Sequence, residues 1–142
     1  MELWELAARE QIRETVARYA HLVDRGRIDE LVLLFAEDGT LEAGDRPPAR
    51  GRAAIRAFFT DTAARLASAS TRRLIRHHVS NLVIEVSGPE SASAESYFLA
   101  LAEGGVDHWG RYRDRLVRRE GRWLFQHRRA RADGHAPGSL FG

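Results

Sequence analysis

A chain of 142 residues fits one domain around one hydrophobic core, because either half alone would bury too little surface to be stable. Hydrophobic residues make up 44% and charged residues 30% of it, values of ordinary globular proteins that exclude a disordered or low-complexity reading. Cysteine is absent, which removes disulfides, thiolate metal ligands and a cysteine nucleophile together, and the formal net charge of +2 comes from 22 basic residues that are all arginine.

No stretch approaches the roughly 20 apolar residues of a membrane span, and the acidic, amphipathic start MELWELAARE is unlike a signal peptide, so the expected location is the cytoplasm. From Leu3 to Arg25 apolar positions recur at steps of three or four, which predicts a long amphipathic helix ended by Gly26. A second helix is expected in IDELVLLFAEDG (28–39), with Ile28, Leu31, Leu34 and Phe35 on one face and Asp38-Gly39 as the turn that closes it. A short strand, GTLEA (39–43), follows. The run AGDRPPARGR (43–52) holds two prolines and two glycines and reads as a rim loop. Residues 52–68 then place Ile55, Phe58, Phe59 and Leu66 at helical spacing, a third helix.

Beyond Ser70 the texture becomes β-rich: runs at 74–86, 92–103, 106–119 and 122–133 are divided by SGPES, GG and EG, the punctuation of antiparallel hairpins. Helices on one face of such a sheet define an α+β domain over 1–134, with 135–142 as a C-terminal tail. The arginine clusters at 111–122 and 127–131 raise nucleic-acid binding. Asp114 and Glu120 interleave them and no nucleic-acid motif accompanies them, so they read as a solvated sheet edge, and no nucleic-acid or membrane partner is expected.

Chemistry-bearing residues stand out at four places. Tyr19 and Asp24 lie at the end of the first helix, where an aspartate opposes the helix dipole. His77 and His78 are neighbours on a strand and must diverge; parity places His77 with Ile75 and Val79 on the inner face. On the last strand Arg128 shares parity with Leu124 and Gln126, and an arginine among apolar neighbours can clamp an oxyanion or carboxylate. Tyr112 shares parity with Gly110 and Asp114, either lining the same cavity or simply packing. Neither His-x-His nor His-x-x-x-His spacing occurs, and no phosphate-cradling glycine loop or dinucleotide fingerprint, so neither metal nor cofactor is expected.

From REQIRETVARYAHLVDRGRIDELVLLFAEDGTLE through GRAAIRAFF and RHHVSNLVIEV to WGRYRDRLVRREGRWLF, the chain resembles the SnoaL-like branch of the NTF2-like superfamily. That branch includes scytalone dehydratase, the bile-acid dehydratase and the lindane dehydrochlorinase. The resemblance implies a cone: a curved antiparallel sheet wrapped around a long N-terminal helix, with two further helices. It implies an Asp–His pair at Asp24 and His77, with Tyr19 as hydrogen-bond donor and Arg128 as a pocket arginine; Tyr112 and Phe35 are taken as further substrate-binding residues. The second catalytic histidine of scytalone dehydratase has no clear counterpart in the linear sequence. The implied activity is a cofactor-independent lyase or isomerase, dehydratase-like, on a small apolar cyclic or polyketide-like substrate, in a homo-oligomer of two or three copies. Two alternatives stay open: Asp24 rather than His77 as the base, and a non-catalytic module that binds a small ligand or another subunit.

Overall fold

The structure is a computed structural model that describes residues 1–68, 74–139 and 141. Helix α1 (Leu3–Arg25) begins with a reciprocal capping box between Glu2 and Glu5 and ends at Gly26, whose N–H bonds to the carbonyls of Leu22 and Val23. Its buried face, Ala8, Ile12, Thr15, Val16, Tyr19 and Ala20, packs on the sheet; Ile12, Val16, Tyr19 and Ala20 belong to the expected apolar stripe, whereas Leu3 and Leu6, expected on the same stripe, are exposed. Two polar ties fix its rotation: Thr15 Oγ1 donates to the carbonyl of Trp123 at 2.9 Å, and Arg9 donates to the carbonyl of Ile84 at 2.6 Å.

The second helix differs from the expectation. Only Ile28–Leu31 (α2) is α-helical, Val32–Leu34 form one 3-10 turn, and strand β1 (Phe35–Ala43) starts where the helical face was expected to continue. A short apolar run cannot separate a buried helix from a buried strand, and here the sheet takes Phe35. Gly39 therefore does not close a helix. A Cβ there would sit 2.9 Å from the carbonyl oxygen of Phe125 and 3.0 Å from that of Ala36, so glycine permits the close approach of β1 to the last strand.

Strand β2 (Ala49–Arg50) and helix α3 (Arg52–Ala67) follow, then β3 (Arg76–Gly88), β4 (Ser91–Ala102), β5 (Gly105–Arg119) and β6 (Arg122–His135). The four long strands match the predicted runs within two residues at each end. Three hairpins join them, and the curved, unclosed sheet has the order β2-β1-β6-β5-β4-β3. It is mixed rather than wholly antiparallel, because β1 runs parallel to β6.

Two bulges decide which side chains face the core. In β3 the register with β4 slips between Ser80 and Val83 around Asn81, which adopts φ 56°. Inner positions are thus His77 and Val79 before the bulge, and Leu82, Ile84 and Val86 after it. In β6 the register with β5 slips between Phe125 and His127, so that Arg128 faces inward with Phe125 and Trp123. This corrects the expected parity of Arg128 with Leu124 and Gln126. The core is a cluster of Ile12, Val16, Tyr19, Phe35, Leu41, Ile55, Phe98, Tyr112, Leu116 and Phe125 between α1 and the concave sheet. No helix among the described residues is long and apolar enough to cross a membrane.

Candidate functional site

The end of α1 delivers Asp24 to the first residues of β3, and the two elements are locked there by one side chain. Asp24 Oδ2 accepts from the backbone N–H of His77 at 2.9 Å, and Asp24 Oδ1 lies 2.6 Å from His77 Nδ1. Both side chains are nearly enclosed, 8% and 13% exposed respectively. The carboxylate is an acceptor only, so Nδ1 must carry the hydrogen and the neutral ring keeps its lone pair on Nε2. His78, as parity requires, is exposed on the other side of the strand.

A second histidine enters that the reading of the linear sequence did not single out. His77 on β3, Ala100 on β4 and His108 on β5 are in one cross-strand row, and Ala100 is too small to separate the two rings, whose centroids are 5.7 Å apart. His108 is 6% exposed, and its Nδ1 lies 2.8 Å from Asp107 Oδ2. Burial holds the His108 imidazole below its usual titration range, with the Asp107 hydrogen bond opposing that shift, so the ring is neutral. The signal was present: His108, Gly110, Tyr112 and Asp114 are all even positions of β5.

From the histidines an aromatic wall leads inward. Phe98 lies 6.3 Å from His77 and 5.9 Å from His108 between centroids, and Tyr112 is 4.7 Å from Phe98. Tyr19 meets Tyr112 at 5.9 Å. Beneath these, the fully buried guanidinium of Arg128 lies 3.5 Å from the Tyr112 ring and 4.2 Å from the Tyr19 ring. Its Nε is 3.2 Å from Asp114 Oδ1, an ion pair by distance but not an aligned hydrogen bond. Burial pushes the Asp114 carboxyl up to about 6 against the pull of Arg128, and pushes Tyr112 to about 12 and Tyr19 higher still, so both phenols stay protonated at neutral pH.

The structure thus brings Asp24 and His77 into direct contact and joins Tyr112, Tyr19 and Arg128 to them through Phe98. Phe35 sits farther in. It is fully buried, 6.2 Å from Tyr19 and 5.3 Å from Phe125 between centroids, as a floor of the aromatic core. At the open end the tail folds back: Phe141 stacks on His108 with centroids 4.5 Å apart, Ser139 Oγ donates to Asp107 Oδ2, and the N–H of Ala136 donates to the Asp107 carbonyl. Leu140 and Gly142 of that segment lie outside the described residues. A surface groove of about 210 Å³, lined by Trp4, Gln11, Arg118 and Trp123 among others, lies at the other end of α1 and touches none of these groups. No three His, Asp or Glu side chains among the described residues are grouped to hold a metal ion.

Known proteins share this architecture. A candidate scytalone dehydratase from Novosphingobium aromaticivorans is 25% identical and superposes with a TM-score of 0.80 over 98% of this chain and 95% of its own. A Mycobacterium tuberculosis protein of unknown function is 27% identical, with a TM-score of 0.78 over 95% of this chain and 77% of its own. A Catenulispora acidiphila protein, solved in complex with S-DNPA, is 28% identical, with a TM-score of 0.77 over 90% of this chain and 95% of its own. The model of the SnoaL-like domain matches residues 4–129, and the chain therefore belongs to the SnoaL-like family of the NTF2-like superfamily.

Proposed function

We propose that the protein is a cofactor-independent lyase or isomerase that moves a proton on a small, mostly apolar cyclic or polyketide-like molecule carrying a carbonyl or a leaving hydroxyl. The observation that carries this reading is the contact of His77 Nδ1 with Asp24 Oδ1 at 2.6 Å. With Nδ1 engaged, Nε2 is the basic atom, and the adjacent carboxylate stabilises the imidazolium that forms when it accepts a proton. In an elimination, the C–H pair becomes the new C=C bond as its proton passes to Nε2, and the C–O bond breaks with its electrons leaving on oxygen. Tyr19, protonated at neutral pH, donates a hydrogen bond to that oxygen, and Arg128 orients the ligand. His108, neutral and in van der Waals range of His77, supplies a second imidazole to the same space.

A test that needs no native substrate is deuterium exchange at the α-carbon of a cyclic ketone such as 2-tetralone in D2O, followed by mass spectrometry. The wild type should accelerate exchange, and His77→Ala should lose about 10²–10⁴-fold of that acceleration. Unchanged exchange in His77→Ala would remove the proposal. The enclosure of the dyad favours a second reading, a non-catalytic ligand or subunit module, and this predicts no acceleration in either protein. We propose in addition a homo-oligomer through the outer sheet face, where Val83, Tyr97 and Trp109 are exposed; a single 16.0 kDa species by light scattering at micromolar concentration would contradict it.

A further inference from the structure

Arg128, which orients the ligand in the proton transfer proposed above, is paired beneath the aromatic wall with Asp114, a carboxylate that takes no part in that transfer. Arg128 is fully buried, and all three of its nitrogens lack an aligned hydrogen-bond partner among the described residues. Buried donors of this kind call for an acceptor. Arg128 taken alone would call for an anion, such as a carboxylate. Asp114, itself 3% exposed and directly opposite Arg128 in the β5–β6 ladder, changes that balance.

The Arg128 guanidinium lies 3.5 Å from the Tyr112 ring and its Nε lies 3.2 Å from Asp114 Oδ1, so this buried cation already has a buried carboxylate beside it. One buried carboxylate therefore faces one buried guanidinium, and at neutral pH the pair carries no net charge. A ligand carboxylate would be a second anion beside a guanidinium that Asp114 already neutralises, and like charges brought together in a low-dielectric interior are costly. A carbonyl oxygen accepts from the guanidinium without adding charge.

We infer that Asp114 is a specificity-determining residue: paired with Arg128, it makes the site select a ligand end bearing an uncharged carbonyl and reject a carboxylate. The inference rests on the reading of this site as a small-molecule chamber, and it does not depend on which group is the base.

The test uses two probes of nearly equal shape, 2-acetylnaphthalene and 2-naphthoate, titrated into the purified full chain at neutral pH by calorimetry. The wild type should bind the ketone at least about tenfold more tightly than the carboxylate. Asp114→Asn, which leaves Arg128 uncompensated, should reverse the order, and Asp114→Glu, which keeps the charge, should preserve it. Equal or tighter binding of the carboxylate by the wild type would overturn the inference, as would an unchanged preference in Asp114→Asn. Binding of neither probe would overturn it too. If Asp114→Asn does not fold, the wild-type preference and its retention in Asp114→Glu decide. Exchange that is unchanged in His77→Ala, with the probe preference intact, would remove the dyad and leave the charge selection standing.

Discussion

Asp24 serves two structural ends with one carboxylate. One oxygen takes the backbone N–H of His77, near the start of β3, and the other takes the ring of the same residue, so one group sets both the strand's start and the imidazole's tautomer. In long-range ¹⁵N–¹H spectra His77 should therefore appear as the Nδ1–H tautomer. Asp24→Ala should convert it to the Nε2–H form that is usual in free histidine, while His78→Ala should leave the His77 signals in place. Finding Nε2–H already in the wild type would contradict the contact. At this scale Asp24 and His77 were each legible as candidates, because a helix end and strand parity are local rules, whereas their pairing was implied only by the family resemblance. His108 was legible by the same parity as Tyr112 but lay two residues before the segment from which that parity was read. The inward turn of Arg128 was not legible, because it depends on a bulge.

Bulges act on whole elements, and alternation cannot reveal them, since one inserted residue swaps every later side chain to the other face. Around Asn81 the inner row passes from odd to even numbers, so that Ile84 rather than Val83 is buried. An asparagine tolerates the left-handed backbone that this requires, and a β-branched residue does not. Asn81→Val should lower stability by about 1–2 kcal/mol in urea unfolding, whereas Asn81→Gly should be close to neutral. Equal losses for both would mean that the side chain of Asn81, not its backbone angle, matters. Gly110 holds a second constraint of this kind, because a Cβ there would overlap the Arg131 carbonyl oxygen and meet Phe98 at 2.8 Å. Gly110→Ala should cost about 3 kcal/mol or more, the upper end of overpacking, since a paired strand cannot yield cheaply. The same ladder explains why the second predicted helix failed: Phe35 gains more from pairing opposite Phe125 in the sheet than from one further helical turn, and no local propensity encodes that distant partner.

The cone as a whole was readable from the order of periodic segments, because a long amphipathic helix and four alternating runs admit few packings. The charges sealed inside it were not, since Asp114 reads in sequence as one more acidic residue in an arginine-rich strand. Those interior groups should govern how the molecule's stability depends on pH, and they act in opposite directions. His108 titrates below its ordinary 6.5 in the folded state, so between the folded value and 6.5 the unfolded chain binds more protons. Its contribution is complete above 6.5 and is lost on acidification through that interval. Asp114 titrates near 6 in the folded state against an ordinary 3.8, so between these values the folded chain binds more protons, and its contribution is present at low pH and lost as pH rises toward and past 6. Acidification from pH 7.5 thus sets a loss from His108 against a gain from Asp114. In wild type the two should partly cancel. Replacing His108 by glutamine removes the loss, so the Tm of His108→Gln should rise relative to wild type as the pH is lowered from 7.5 toward 5. Asp114→Asn removes the gain, and its Tm should fall more steeply than that of wild type over the same range. Calorimetric scans of the three proteins at matched ionic strength decide the matter: parallel curves for Asp114→Asn and wild type would show that the Asp114 carboxyl titrates alike folded and unfolded, and that Arg128 offsets its burial in full.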